Sequence, residues 1–155
     1  GSYIVRLLFE ENHDVTILRR ETSNLDLLDG ISFKSSIGDV TDIKSLLDGV
    51  PDDTDWFFHN AAIMKDWGGK SQFYPVNVEG TRNVLEVIRK KDIPQLIHTS
   101  STAVYGFPNV KEPLSEDAPW KPVNTYQRSK AAAENVIKEY EDNYGIRSSL
   151  IRGPT

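Results

Sequence analysis

Apolar residues along this chain follow two spacings, one typical of short buried strands and one typical of helices. Runs rich in β-branched and aromatic residues predict strands at residues 15–18, 31–37, 54–59, 95–100 and 148–151. Apolar residues spaced by three and four predict helices over residues 3–12, 41–47, 73–91 and 125–144. Strands that alternate with helices favour an α/β fold with a doubly wound parallel sheet and helices on both faces.

Local signals mark the ends of several predicted elements. Thr41 is expected to cap the helix of residues 41–47, and Gly145 is expected to end the helix of residues 125–144. Four prolines between residues 106 and 122 predict a loop there. Ligands of parallel sheets bind at the carboxyl ends of strands. Chemistry is therefore expected in the loops that follow Leu18, Ile37, His59 and Ser100.

Composition narrows the class of protein. A chain of 155 residues with 38% hydrophobic and 26% charged residues suits one folded domain rather than a disordered segment. The net charge of −5 and the scattered Lys and Arg residues argue against a nucleic-acid partner. The absence of cysteine excludes disulfides and thiolate metal sites, and no metal is expected. No apolar run approaches the roughly 20 residues that span a bilayer, so a cytoplasmic location without a membrane partner is expected.

The first chemical signal is the pair Tyr126 and Lys130 near the start of the last predicted helix. Residues four apart share one helix face, with β-carbons about 5–6 Å apart. A cation at that distance favours the ionised form of a phenol, which can then exchange a proton with a substrate oxygen near neutral pH. The alternative is two ordinary residues at a helix start.

A second signal is the hydroxyl-rich segment of residues 99–102, which follows a predicted buried strand. Hydroxyls at the carboxyl end of such a strand can donate hydrogen bonds to a developing oxyanion. The alternative is a strand end whose hydroxyls cap their own backbone.

Together these motifs resemble the extended short-chain dehydrogenase/reductases, also called the NAD-dependent epimerase/dehydratase family. The resemblance covers essentially the whole chain, and its segments occur in the order typical of that family. They are Gly38-Asp39-Val40-Thr41-Asp42, His59-Asn60-Ala61-Ala62, Val76-Asn77-Val78-Glu79-Gly80-Thr81, Ser100-Ser101 with Tyr105-Gly106, Tyr126 with Lys130, and Leu150-Ile151-Arg152.

The resemblance implies a role for each matching residue. Ser101 occupies the catalytic Ser/Thr position, Tyr126 is the acid/base, and Lys130 favours the ionised Tyr126 and holds the nicotinamide ribose. Asp39 could instead be a helix cap, and Asn77 a buried polar group. The implied cofactor-binding residues are Gly1, Asp39 and Val40 at the adenine, Asn60, Ala61 and Ala62 along the phosphates and ribose, Asn77, Thr99 and Ser100, with Tyr126 and Lys130.

The residue after the first predicted strand bears on the type of dinucleotide. An acid at this place in Rossmann domains binds the ribose 2′-hydroxyl, whereas an Arg accommodates a 2′-phosphate. If Gly1 is the last glycine of the phosphate-binding loop, Arg19 lies 18 residues on, where the acid would be. Its guanidinium favours NADP(H) over NAD(H). A solvated Arg is the alternative, and Asp26 or Asp29 could still reach a ribose.

Two parts of the family pattern are not found in the sequence. These are the strand and glycine-rich loop ahead of the first helix, and a C-terminal substrate-binding region. We therefore expect residues 1–155 to be an NAD(P)-binding Rossmann domain truncated at both ends. In the strand order 3-2-1-4-5-6 the absent strand is central, so a gap is expected between the strands of residues 15–18 and 54–59.

The predicted function is an enzyme domain that transfers hydride between NADP(H) and a hydroxyl or carbonyl carbon of a small molecule. Arg19 favours a ketone or aldehyde reductase, or a sterol-dehydrogenase-like enzyme. The alternative is a nucleotide-sugar epimerase or dehydratase; Thr102 and Ala103 stand where a dehydratase usually carries two acids. A second alternative is a non-catalytic dinucleotide-binding or inert fragment. The presence of Tyr126 and Lys130 argues against it. A homodimer is left open.

The segment of residues 64–70 follows the Ala-Ala pair and is expected to lie over the active site. Lys65 and Trp67 could touch substrate there. An exposed loop with an aromatic side chain is the alternative.

Overall fold

The fold is a parallel α/β structure whose strands form two separate ladders. The computed structural model describes residues 1–65, 67–107 and 113–154. One ladder pairs β1 with β2, and the other has the order β3-β4-β5, with every pair parallel. The strands are β1 (Thr16–Arg19), β2 (Lys34–Ile37), β3 (Trp56–His59), β4 (Gln95–Ser101) and β5 (Ser148–Gly153).

Helices alternate with these strands, which confirms the fold class expected from the apolar pattern. A π-helical turn over Pro75–Glu79 joins the third helix to the fourth, and single 3₁₀ turns cover Asp26–Leu28 and Thr102–Tyr105. The helices are α1 (Ser2–Glu10), α2 (Ile43–Gly49), α3 (Lys70–Tyr74), α4 (Gly80–Lys90) and α5 (Thr125–Tyr144).

Three predicted details are wrong. The long helix of residues 73–91 begins at Lys70 and is interrupted by the π-helical turn, and the second strand begins at Lys34 rather than at residue 31. The cap of α2 is Asp42, whose carboxylate accepts hydrogen bonds from the Lys44 and Ser45 backbone N–H groups. At Thr41, the N–H and the hydroxyl instead donate hydrogen bonds to the Asp39 carboxylate, at 2.9 and 2.8 Å.

The core lies where α4 and α5 pack on β4. The inner stripe of α4 includes Val84, Leu85 and Ile88, which are buried in one cluster with Leu96 of β4 and Ile137 of α5. This packing fixes the carboxyl end of β4 against the start of α5. That junction holds most of the chemical candidates.

The gap expected in the sheet is present: among the described residues, no strand joins β1 to β3. The consequence is visible at Trp56, the first residue of β3, which is 53% exposed. This end of β3 is therefore not buried on both faces. The Trp56 indole instead stacks on His13 and Phe58, with ring centroids 6.0 and 6.3 Å away.

We expect a polypeptide of residues 1–155 alone to self-associate, because in the described ranges β1 and β3 each have one edge without a strand partner, beside apolar side chains. Trp56→Lys should shift the mixture towards monomer, since a lysine on a strand edge opposes strand addition. Trp67→Lys, which replaces an exposed Trp outside the strands, is the matched control. Light scattering after gel filtration measures the result. A monodisperse wild-type monomer that binds dinucleotide at micromolar affinity (about −8 kcal/mol) would contradict this prediction.

Candidate active site

Lys130 lies at the carboxyl end of β4 although it belongs to α5. The side chain of Asn124 accepts a hydrogen bond from the Gln127 N–H at 2.8 Å and starts α5 just before Tyr126. Lys130 follows one turn later, and its Nζ donates to the Thr99 carbonyl at 2.8 Å. The same Nζ is 3.5 Å from His98 Nε2. The start of α5 thus places the ammonium group of Lys130 beside the last residues of β4, which ends at Ser101.

Burial sets the ionisation of Lys130, which is 3% exposed. It lowers the pKa of Lys130 from its ordinary value to about 8, and the Glu134 carboxylate acts in the opposite direction. Lys130 therefore changes charge close to neutral pH. A group with that property suits proton transfer better than a solvated lysine does.

Ser101 is buried at the end of β4, and its Oγ accepts a hydrogen bond from the Ala103 N–H at 3.0 Å. It thereby caps the turn Thr102–Tyr105, as the alternative for this segment foresaw. The bond occupies one oxygen lone pair and leaves the hydroxyl proton able to donate. Capping and oxyanion stabilisation are therefore compatible at Ser101.

Tyr126 is partly buried and packs against an aromatic residue that the sequence did not single out. The Phe73 ring of α3 lies 6.1 Å from the Tyr126 ring at an angle of 56°, and Phe73 is almost wholly buried. Such tilted aromatic pairs are attractive and restrict ring orientation. The only sequence signal for Phe73 was its place among the apolar residues of the predicted long helix.

Asn77 lies in the π-helical turn and clamps the backbone that follows Ala62. Its Oδ1 accepts from the Ile63 N–H at 2.7 Å, and its Nδ2 donates to the Ile63 carbonyl at 3.0 Å and to Ser129 Oγ at 2.9 Å. The Asn77 amide is thus engaged on both sides while almost wholly buried. It ties the loop after β3 to α5, and so fixes where residues 60–62 lie.

The loop residues after β3 line the same edge of the sheet as Thr99. The Thr99 hydroxyl donates to the Asn60 side-chain oxygen, which links the ends of β3 and β4. Ala61 and Ala62 are exposed. Two methyl groups at an open strand end leave room for a ligand to approach the backbone.

Ser100 faces the opposite way, towards α5, because side chains alternate along a strand. Its hydroxyl donates to the buried carboxylate of Glu134, which also binds Arg152 of β5 with a shortest N···O distance of 2.7 Å. Arg152 in turn donates to the Tyr105 hydroxyl at 2.5 Å and to the Glu116 carbonyl at 3.0 Å. Hydrogen bonding to Glu134 raises the pKa of Arg152. Sequence analysis noted Arg152 only as part of a motif and missed Glu134, four residues after Lys130.

A cavity of about 340 Å³ opens beside the ends of β1 and β2. Arg20, Gly38, Asp39 and Ser45 are among the residues that line it. Backbone and hydroxyl hydrogen bonds from Thr41 hold the pKa of Asp39 below its usual value, so its carboxylate is charged at neutral pH. A carboxylate, a guanidinium and a glycine around one cavity are groups that suit an adenosine with its ribose.

Arg19, the last residue of β1, directly precedes the cavity residue Arg20. Its Nε is buried and, among the described residues, has no hydrogen-bond partner, while Nη1 reaches the Arg20 carbonyl at 3.4 Å. A buried donor without a partner is costly, and an anionic oxygen would satisfy it. Val40, the other predicted adenine contact, lies against Gly80, where a β-carbon would come within 2.8 Å of Val40 Cγ2.

The remaining predicted residues lie on the surface. Gly1 is exposed at the start of α1, and its carbonyl accepts from the Val5 N–H at 3.1 Å. Lys65 and Trp67 are both exposed, and Trp67 is 88% so. Exposure of these two side chains fits the loop alternative; contact with a substrate stays a prediction.

No helix in the described part of the chain combines the length and apolarity that a bilayer crossing requires.

Residues 1–155 match the sequence profile described as "NAD dependent epimerase/dehydratase family". The chain is 37% identical over 116 residues to the N-acetyl-alpha-D-glucosaminyl-diphospho-ditrans,octacis-undecaprenol 4-epimerase of Escherichia coli O157:H7, covering 75% of this chain and 34% of that protein. It is also 29% identical over 142 residues to the Sterol demethylase protein B of Methylococcus capsulatus, covering 88% of this chain and 42% of that protein.

Among solved structures, the UDP-glucose 4-epimerase from Brucella ovis in complex with NAD is similar, with a TM-score of 0.83 and 26% identity. That match covers 98% of this chain and 47% of the other. The chain thus spans a third to a half of the length of these proteins.

Proposed function

This chain belongs to the NAD dependent epimerase/dehydratase family, and we propose that it is the dinucleotide-binding and proton-transferring part of a nucleotide-sugar epimerase. The observation that carries the proposal is the place of Lys130. Its ammonium group is buried at the end of β4, hydrogen-bonded to the Thr99 carbonyl, one helical turn after Tyr126. No ordinary surface pair would have its cation held in this way.

Two sets of residues fit a nicotinamide dinucleotide. Asp39 and Arg20 line a cavity that suits the adenosine and its ribose, and the neighbouring Arg19 has a buried Nε without a partner among the described residues. Thr99, Tyr126 and Lys130 would hold the nicotinamide end. When bound, such a dinucleotide accepts a hydride from a carbon and returns it.

The residues of this chain would move the proton that accompanies that chemistry. Tyr126 takes the proton of the substrate hydroxyl as the carbon becomes a carbonyl, and gives it back when the alcohol re-forms. Lys130 places its ammonium group one helical turn after Tyr126, beside the proposed path of that proton. Ser101 would donate a hydrogen bond to the substrate oxygen, which stabilises the charge that develops there.

The similarity to two 4-epimerases shifts the preferred activity from a net reductase to an epimerase. An epimerase removes and returns a hydride at one carbon, so it uses the same three residues as a reductase and leaves the dinucleotide unchanged overall. A sterol-directed dehydrogenase is the second candidate, favoured by Arg19 and by the 29% identity to Sterol demethylase protein B.

The test is to incubate the full-length protein with UDP-glucose and NAD and to follow UDP-galactose by chromatography. Interconversion of the two sugars without net NADH formation is expected. Steady NADH formation with a sterol or simple alcohol, and no interconversion, would favour the second candidate. Tight dinucleotide binding with neither activity would contradict the proposed chemistry.

Arg19 carries the finer proposal that NADP(H) binds more tightly than NAD(H). In the full-length protein we expect Arg19→Asp to shrink or reverse that preference, because a carboxylate accepts from the ribose 2′-hydroxyl and repels a 2′-phosphate. Titration calorimetry with both dinucleotides measures the ratio of the two Kd values. Arg6→Asp is the matched control, since Arg6 lies on α1 and its guanidinium binds the Leu27 carbonyl in the turn Asp26–Leu28. Equal wild-type affinities for the two dinucleotides would overturn the preference.

A further inference from the structure

Two buried histidines lie behind Lys130, and the proposed function gives neither of them a task. His59 of β3 and His98 of β4 are register partners, with ring centroids 5.0 Å apart. His98 Nε2 is 3.5 Å from Lys130 Nζ. All three side chains are almost completely buried, so water does not screen them from one another.

The hydrogen bonds around His59 settle where its proton is. Thr81 has one hydroxyl proton and gives it to the Asn77 carbonyl at 2.8 Å. His59 Nε2 lies 3.0 Å from the same Thr81 oxygen and must therefore be the donor in that contact. Burial and the nearby Lys130 charge lower the pKa of His59 to about 3. His59 is thus a neutral ring held by Thr81, and it does not compete for Lys130.

His98 is neutral as well, because burial, His59 and Lys130 lower its pKa to about 2. An ammonium group has no lone pair, so a hydrogen bond from Lys130 requires the Nε2 lone pair of His98. The ring proton then sits on Nδ1, which is buried and, within the described residues, has no partner. A buried donor without a partner costs free energy, and a phenylalanine would fill this space without that penalty. The presence of a histidine here therefore indicates a use for Nε2.

In the described ranges, few other groups near Lys130 can orient its ammonium group. β4 contributes His98 and the Thr99 carbonyl, β3 contributes neutral His59, and α5 contributes Tyr126 and Glu134. The Glu134 carboxylate accepts a hydrogen bond from Ser100 and forms an ion pair with Arg152. Within the part of the chain that the structure describes, the acceptors next to Nζ are therefore His98 Nε2 and the Thr99 carbonyl.

We propose that His98 is a positioning residue for Lys130: its Nε2 accepts a hydrogen bond from the ammonium group, and with the Thr99 carbonyl it occupies two of the three N–H donors. The third donor is left for the reacting groups. This inference rests on the proposed function only in taking Lys130 as part of the active site. The bond itself is a property of the protein without substrate.

The test measures the ionisation of Lys130 rather than turnover. In the full-length protein with ¹³C-labelled lysines, the resonance that Lys130→Arg removes identifies Lys130. We expect His98→Phe to lower the pKa of Lys130 by about one pH unit, a tenfold change in its dissociation constant, because the charged form loses an acceptor. His98→Gln places an amide oxygen near the position of Nε2 and should restore most of the shift. His13→Phe, at an exposed histidine, should leave the Lys130 pKa unchanged.

Equal Lys130 pKa values in the wild type and in His98→Phe would overturn the proposal, as would equal shifts in the Phe and Gln variants. If His98→Phe does not fold, the ¹⁵N shifts of the wild-type histidines decide. They should show His98 with the proton on Nδ1 at pH 7, and a proton on Nε2 would overturn the proposal. A confirmed shift in a protein without NAD-dependent activity would leave this inference standing while the proposed function fails.

Discussion

Tyr126→Phe is expected to lower kcat of the full-length protein by about 10²–10⁴-fold, the range that a positioned acid or base contributes. The substitution removes the phenolic oxygen and keeps the ring that packs on Phe73. Dinucleotide affinity should change little, because Tyr126 is only one of the residues proposed to contact the dinucleotide. The measurement is the rate of sugar interconversion at saturating substrate, with Kd for NAD determined alongside.

Tyr144→Phe is the matched control for this prediction. Tyr144 is the last residue of α5 and is exposed, so its hydroxyl is far along the helix from the proposed chemistry. It should retain wild-type kcat. A Tyr126→Phe enzyme with more than half of the wild-type kcat would show that another group moves the proton.

Glu134→Ala is expected to lower the free energy of unfolding by about 3 kcal/mol, because it leaves a largely buried cation without its partner. The Glu134 side chain is 1% exposed and that of Arg152 is 18% exposed. Ser100 would also lose the acceptor for its hydroxyl. Chemical denaturation of the full-length protein, followed by the Trp fluorescence, gives the difference.

Two further variants separate the ion pair from simple packing. Glu139→Ala removes a carboxylate of the same helix that is 53% exposed and 3.7 Å from Arg82, and should cost only about 0.5 kcal/mol. Replacing Glu134 by Leu together with Arg152 by Met should cost less than Glu134→Ala, since no buried charge remains. If the double variant is the least stable of the three, the assignment of the loss to an unpaired charge is wrong.

The sequence predicted the fold because the two apolar periods are strong where strands and helices are buried. The stripe of α4 and the β-branched runs of β1 and β4 leave little choice of element type. The proximity of Lys130 to the end of β4 also followed from sequence, because parallel strand ends and the start of the next helix meet at one edge of the sheet.

Other features depended on contacts between residues far apart in sequence. Asn77 and Ile63 are 14 residues apart, and Ser100 and Glu134 are 34 apart, so no local pattern links them. The cap of α2 was misplaced because Thr41 and Asp42 are both good caps, and only the hydrogen bonds from the Lys44 and Ser45 N–H groups to Asp42 decide between them.

The neutrality of His59 and His98 was likewise beyond the sequence, since burial sets it. A strand pattern shows that a histidine lies in a sheet. It does not show which partner each ring nitrogen meets.

The grip of Asn77 on the Ile63 backbone has an evolutionary consequence. Because that amide holds the chain at residue 63 from both sides, the positions of residues 60–62 do not depend on the path that follows. Lengthening the loop after Ile63 costs little, about 0.6 kcal/mol for each doubling. Insertions and deletions after Ile63 can therefore change the rim of the cleft in descendants of this protein, while residues 60–62 keep their positions.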